Sequence, residues 1–216
     1  MKRVILFDLD GTLIDSTEAI LYSFKKSFEA FGVVTPKEVD ILPQIGHPLF
    51  DMFVNLGVPK SIANDYVKVY KDNYRQIHTQ KTLLLNGAKE AVEKSYKSGA
   101  ILGVVTTKTG TYSKELLEHF GLMQYFGTLV GSEDVKNHKP NPEPIYLALK
   151  RLNVTKSSNI YMIGDTCMDI LAAKNADIKG IAVEFKYTPI DELKKCSSVV
   201  KSSVLEAINN ILDNKI

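Results

Sequence analysis

Tryptophan is absent from the 216 residues, and cysteine occurs only twice, at Cys167 and Cys196. Two cysteines cannot build a disulfide framework or a zinc cluster, so free thiols in a cytoplasmic protein are the expectation. The four histidines, His47, His78, His119 and His138, show no His-x-x-x-His spacing, which speaks against zinc as well. Neither sign of charge prevails: 27 Lys+Arg face 25 Asp+Glu, and the basic residues are scattered rather than run together. A nucleic-acid footprint is thereby missing. No apolar stretch approaches the ~18 residues of a membrane span. The run Val4–Phe7 follows Met1-Lys2-Arg3 but is broken at once by Asp8 and Asp10, too soon for a signal-peptide core. There is no internal repeat and no low-complexity segment. What is present, 44% hydrophobic and 24% charged residues, is the composition of a folded globular chain and excludes disorder and fibrous architectures.

Short apolar runs recur at Val4–Phe7, Ile101–Val105, Thr128–Val130, Ile160–Ile163 and Ile181–Val183. Most are rich in Val and Ile and continuous rather than alternating, as suits strands buried on both faces of a parallel sheet. Helical patterns lie between the later runs: Ala88, Val92 and Tyr96 share a spacing of four, and Leu116, Leu117 and Phe120 end against Gly121. Ile145, Leu149 and Leu152 follow Pro144, and Ile170 and Ala173 follow the Gly164-Asp165-Thr166 turn. The alternation predicts a doubly wound, Rossmann-like α/β fold. The interval 16–82 breaks it. Ile20, Phe24, Phe28 and Phe31 mark one helical stripe there, and Ile62, Tyr66, Val69 and Ile77 mark another. A crossover between parallel strands needs only about a dozen residues, so this interval reads as an all-helical cap inserted after the first strand. Residues 1–15 and 83–216 would then form the α/β core. In open α/β sheets ligands bind beyond the carboxyl ends of the strands, and the insertion leaves from such an end, as a lid would.

Acids collect at those ends. Asp8 and Asp10 are two residues apart and would share a face of a strand, with Gly11 allowing a sharp turn. Two carboxylates that close repel unless a cation or proton lies between them, and oxygen ligands of this kind favour Mg2+. By itself Asp-x-Asp is equally well read as a pair of solvated acids. Asp165 ends another apolar run, and Asp169 lies one helical turn further on, bringing a third and a fourth acid toward one point. Thr106-Thr107-Lys108 ends the run Ile101–Val105, where a hydroxyl and backbone N–H groups can hold phosphate oxygens or Thr106 can simply cap the next helix. Lys139 precedes Pro140-Asn141-Pro142-Glu143-Pro144, a stiff segment that would fix its ammonium; as a surface lysine it would mean nothing.

In order along the chain, Asp8-x-Asp10-Gly11-Thr12, Thr106, Lys139-Pro140 and Gly164-Asp165-Thr166-x-x-Asp169 resemble the four motifs of the haloacid dehalogenase superfamily. Asp10 points to its phosphotransfer branch. Phe7–Ser16, Ile45-Gly46-His47-Pro48-Leu49 and Lys139–Pro144 resemble phosphoglycolate phosphatase-like and pyrophosphatase-like members. The resemblance implies a Mg2+-dependent phosphatase of small phosphate monoesters, with Asp8 as nucleophile and Asp10 as general acid and base. It implies Mg2+ held by Asp8, the Asp10 carbonyl and Asp165, with Asp169 in support. Gly11, Thr106, Thr107 and Lys139 would bind the phosphoryl group, although Thr107 stands where relatives often have Asn. His47 and Arg75 are the candidates in the cap for contact with substrate. Tyr66, Tyr70 and Tyr74 are read as packing and Cys167 as a small filler. The implied partner is a small phosphorylated metabolite, with no nucleic acid or membrane, and the chain a monomer or homodimer. Inorganic pyrophosphatase, a phosphosugar mutase of the beta-phosphoglucomutase kind and a phospho-accepting signalling receiver are the alternatives. The form of Gly164-Asp165-Thr166 resembles hydrolases more than mutases, and a receiver has no call for a helical insertion.

Overall fold

Val4–Phe7 (β1) is buried at every position because it lies in the middle of a six-stranded parallel sheet. The computed structural model describes residues 2–155 and 159–216; Met1, where the expected core begins, lies outside the described residues. The other strands of this sheet are Ile101–Val105 (β4), Thr128–Val130 (β5), Ile160–Gly164 (β6), Lys179–Val183 (β7) and Val200–Lys201 (β8). Their order is β5-β4-β1-β6-β7-β8. The chain therefore moves outward from β1 in one direction through β4 and β5, then returns to its other side at β6. That reversal makes the crevice at the ends of β1, β4 and β6 the natural ligand position. Five of these strands coincide with the apolar runs of the sequence. The sixth, β8, has two half-buried residues and no readable pattern.

Helices cover both faces. Ala88–Lys97 (α5), Gly110–His119 (α6) and Val204–Leu212 (α10) bury Val92, Leu116, Leu117 and Ile208 against one face, with Phe7 edge-on to Phe126 at 6.0 Å between ring centroids. Glu143–Arg151 (α7) and Cys167–Asn175 (α8) bury Ile145, Leu149 and Ala173 against the other. The short helix Ile190–Cys196 (α9) packs Leu193 beside Ile170 of α8. This contact corrects the expectation of free thiols. Cys196 at the end of α9 meets Cys167 at the start of α8, and the two form a disulfide with a Cα–Cα distance of 5.7 Å. Their separation of 29 residues hides the pairing from the sequence, because only the packing of α9 onto α8 brings them together.

Between β1 and β4 the chain leaves the sheet through Ile14–Asp15 (β2) and returns through Leu83–Leu84 (β3), which pair antiparallel as a two-stranded stem. Beyond the stem stand four helices: Thr17–Ala30 (α1), Glu38–Ile41 (α2), Leu49–Asn55 (α3) and Ala63–Ile77 (α4). Their interior is aromatic, with Phe24 4.6 Å from Phe53 and 5.2 Å from Tyr70. On α1 the expected stripe of Ile20, Phe24 and Phe28 is buried, while Phe31 lies past the helix end and stacks at 4.1 Å on Tyr66. On α4 the buried stripe is Ala63, Tyr66, Tyr70 and Tyr74; Ile62 lies outside it, 38% exposed. Three tyrosines at a spacing of four form one apolar ridge of the helix.

Candidate active site

Strand register gathers the acids. Phe7 is level with Val104 of β4 and Ile163 of β6, so Asp8, Thr106 and Asp165 all emerge within about a residue's rise of the same edge. The Asp8 N–H donates to the Ile163 carbonyl at 2.9 Å, fixing the first residue beyond the strand. Gly11 then turns the chain at φ +78°, and a β-carbon there would stand 2.2 Å from the Asp165 carboxylate. Only glycine fits. Gly164 is required in the same way, since a β-carbon would come within 2.2 Å of the Asp169 carboxylate.

Asp8, Asp165 and Asp169 are all buried and can bring one oxygen each within 4.8 Å of the others. Lys139 sits among them, 3% exposed. Its ammonium donates to Asp8 at 2.8 Å, to Asp169 at 2.5 Å and to the Val105 carbonyl at 3.2 Å. Burial alone would discharge this ammonium, but Asp169 and Asp8 outweigh it and push its pKa upward. The Asp8 carboxyl is driven from the usual carboxylate range up to about 7, first by burial, against the pull of Lys139 and with repulsion from Asp169 and Asp10 added. Asp165 is raised well above the ordinary range by burial and by the neighbouring Asp8 and Asp169 charges. One of its oxygens accepts from Thr12 Oγ at 3.3 Å; the other, Oδ2, is buried with no hydrogen-bond partner among the described residues. Three acids against one ammonium, with an orphaned carboxylate oxygen, is a donor set that fits a hard divalent cation. Asp169 is the least available of the three, because its second oxygen accepts from the Thr166 N–H and hydroxyl.

Asp10 is placed differently from the expectation of two carboxylates sharing one cation. Regular strand geometry ends at Phe7, and the Gly11 turn sends the Asp10 side chain elsewhere. Its oxygens accept from Ser16 Oγ and from the Lys108 ammonium, the latter at 2.9 Å. Thr106 is buried beside the acids, and its hydroxyl accepts the Lys108 N–H at 3.1 Å. It does not cap the next helix, which starts at Gly110 with Thr109 as its cap. Thr107 and His47 line a cavity of about 280 Å³ between cap and core, with Asp10, Lys71, Tyr74 and Lys108. Arg75 does not. It is 68% exposed beside Asp72, one residue past the buried Tyr74 on α4, so the structure does not bring this expected substrate contact into the cavity wall. Lys108, which the sequence displayed only as the residue after two threonines, takes the position facing the cavity.

Similarity to known proteins agrees with this architecture. Residues 5–183 match the family of haloacid dehalogenase-like hydrolases. The chain is 36% identical over 210 residues to pyrophosphatase PpaX of Bacillus velezensis, covering 92% of this chain and 96% of that protein. It is 37% identical over 207 residues to pyrophosphatase PpaX of Listeria innocua, covering 91% and 94%. Among solved structures, one described as a predicted phosphatase from Clostridium acetobutylicum superposes with a TM-score of 0.89 at 30% identity, covering 99% of each chain. A hydrolase from Pseudomonas syringae shares the fold, with a TM-score of 0.85 at 23% identity and 99% of each chain covered. With matches of this extent, the chain belongs to the haloacid dehalogenase-like hydrolase family.

Proposed function

We propose that the protein is a Mg2+-dependent phosphatase that hydrolyses a small phosphate monoester through an aspartyl-phosphate at Asp8. The observation that carries this is the contact of Lys139 with both Asp8 and Asp169 inside a buried cluster in which one Asp165 oxygen has no hydrogen-bond partner among the described residues. Mg2+ would be held by the Asp8 and Asp165 carboxylates and the Asp10 carbonyl, with Asp169 behind them, and would supply neutralising charge at the phosphoryl group. In the first step a carboxylate oxygen of Asp8 attacks phosphorus. The bond from phosphorus to the leaving oxygen breaks, and that oxygen takes a proton from Asp10. Water then attacks the phosphorus of the aspartyl-phosphate and gives its proton to Asp10, releasing inorganic phosphate and the Asp8 carboxylate. Thr106, Thr107 and the Gly11 turn hold phosphoryl oxygens, and Lys139 keeps Asp8 oriented while offsetting the transferred charge. His47 faces the leaving group from the cap.

The cavity of about 280 Å³ beside Asp10 suits a small substrate. A second reading, hydrolysis of inorganic pyrophosphate, is favoured by the names of the sequence relatives and by two lysines, Lys71 and Lys108, in the cavity wall. The chemistry is the same, with phosphate as the leaving group. Phosphate release should be followed across phosphoglycolate, hexose phosphates and pyrophosphate, with and without Mg2+, using Asp8→Asn as control. The account expects turnover of at least one of them that needs both Mg2+ and Asp8; turnover undiminished in Asp8→Asn would refute it.

A further inference from the structure

The Cys167–Cys196 disulfide closes against the outer side of the turn that presents two of the buried acids. Cys167 is the first residue of α8, two residues after Asp165 and two before Asp169. Two residues along a helix is a rotation of about 200°, so its sulfur leaves the helix on the side opposite the Asp169 carboxylate. On the inner side that carboxylate is held by the Lys139 ammonium and by the Thr166 N–H and hydroxyl. The turn has no slack. A β-carbon on Gly164 would stand 2.2 Å from the Asp169 carboxylate, and one on Gly11 2.2 Å from that of Asp165, so a shift of the turn shifts the acids. On the outer side the brace is α9, a helix of seven residues that buries only Leu193, against Ile170 and Ala182. So little apolar contact leaves the covalent bond as the main fastener between α9 and α8. Both cysteines are half-buried, within reach of a reductant.

We infer that this disulfide is a redox switch on the metal site: closed, it holds Asp165 and Asp169 at the spacing that binds Mg2+, and opened by a dithiol it lowers that affinity. The inference rests on the reading of the acid cluster as a Mg2+ site. Opening needs two electrons, which the dithiol supplies. Its thiolate attacks one sulfur, the Cys167–Cys196 bond breaks, and the displaced cysteine leaves as a thiolate that takes a proton. The second thiol of the reductant then displaces the other cysteine from the mixed disulfide. The chain ends with two thiols and the reductant with a disulfide. Linkage makes the effect run both ways. Whatever factor reduction takes from Mg2+ affinity, bound Mg2+ returns as resistance of the disulfide to reduction.

The test compares Mg2+ binding by isothermal titration calorimetry in the oxidised protein and in protein kept reduced with dithiothreitol. The dissociation constant should rise about 10-fold on reduction, the scale of disturbing a group that supports a metal's ligands. Independently, the protein is equilibrated with mixtures of reduced and oxidised dithiothreitol, with and without saturating Mg2+, and its free thiols are counted after alkylation. Saturating Mg2+ should move the midpoint potential down by about 30 mV, the equivalent of 10-fold for two electrons. Cys196→Ser should bind Mg2+ like the reduced wild type and be indifferent to dithiothreitol, which separates the bond from any effect of the reductant itself. The wild-type comparisons need no substitution, so they decide the matter even where that variant does not fold. Equal Mg2+ affinity in the two redox states, or a midpoint that Mg2+ does not move, overturns the inference. Failure of the underlying metal reading looks different: the oxidised protein would then bind no Mg2+ before any reductant is added.

Discussion

The core edge and the cap solve opposite problems. At the edge of the sheet, glycines at positions 11 and 164 are excluded from being anything else, because acids stand 2.2 Å from where a β-carbon would be. Charge is concentrated there and answered by one buried lysine. The cap is held by rings: Phe24, Phe28, Phe53, Tyr66 and Tyr70 are packed by area and edge-to-face geometry, which tolerates substitution by similar volumes. Chemistry that depends on placed charges therefore leaves motifs in the sequence, whereas a helical insertion that depends on packing leaves only a pattern of hydrophobicity. Lys108 and Tyr74 are where the two regimes touch.

The sharpest break in that contrast is the removal of a single charge at the edge, either the acid or the lysine that answers it. Asp8→Asn should lower kcat by about 10⁴-fold or more, as expected for loss of a nucleophile, in a steady-state phosphate-release assay. Lys139→Met should cost about 10²–10³-fold in kcat, the scale of losing one preorganised donor at developing charge. Breaking a buried pair should also lower stability by roughly 3–5 kcal/mol in denaturant titrations.

Metal-free protein offers a pH test of the same crowding. The Asp8 carboxyl titrates near 7 in the fold and near 3.8 in the ordinary range, so its contribution to stability is full below about 4 and is lost as pH rises through about 7. Without Mg2+, Asp8→Asn should therefore melt above wild type at pH 8, and the gap should shrink toward pH 5. Added Mg2+ should raise the wild-type melting temperature at pH 8 and leave the variant little changed. A gap that widens on acidification would contradict the burial argument. Further from the chemistry, Cys196→Ser opens a loop of 29 residues, worth about 3–4 kcal/mol in the chain-entropy view. Differential scanning calorimetry should show melting lower by about 6–16 °C. At the small end, Arg75→Ala should leave kcat/KM within about 2-fold, because an exposed side chain in a surface pair with Asp72 contributes little.

How much was legible follows the same division. Val4–Phe7 and Ile101–Val105 were readable as strands, because burial on both faces demands continuous apolar runs. Asp8, Asp165 and Lys139 were readable as a group only through the order of motifs, since no spacing rule links residues so far apart. What stayed hidden depended on packing between distant elements. Lys108 meets Asp10 only after β4 docks beside β1, and Tyr74 only after α4 folds over both. The Tyr66–Tyr70–Tyr74 spacing reads as packing and the ridge is buried, yet the hydroxyl at its end also reaches the site. Arg75, one residue further, rotates about 100° around the helix and faces water. The disulfide was invisible for the same reason as Lys108, because α9 has no pattern that predicts where it packs.

The central claim is a covalent phosphoryl group on Asp8, and mass spectrometry of acid-quenched enzyme measures it directly. Enzyme mixed with Mg2+ and p-nitrophenyl phosphate, quenched within a turnover and digested, should carry a hydroxylamine-labile phosphate on the peptide containing Asp8. The modification should appear and decay at rates that account for kcat, and should be absent in Asp8→Asn. Turnover at the wild-type rate with that peptide unmodified throughout, or with the phosphate on another residue, would contradict the account.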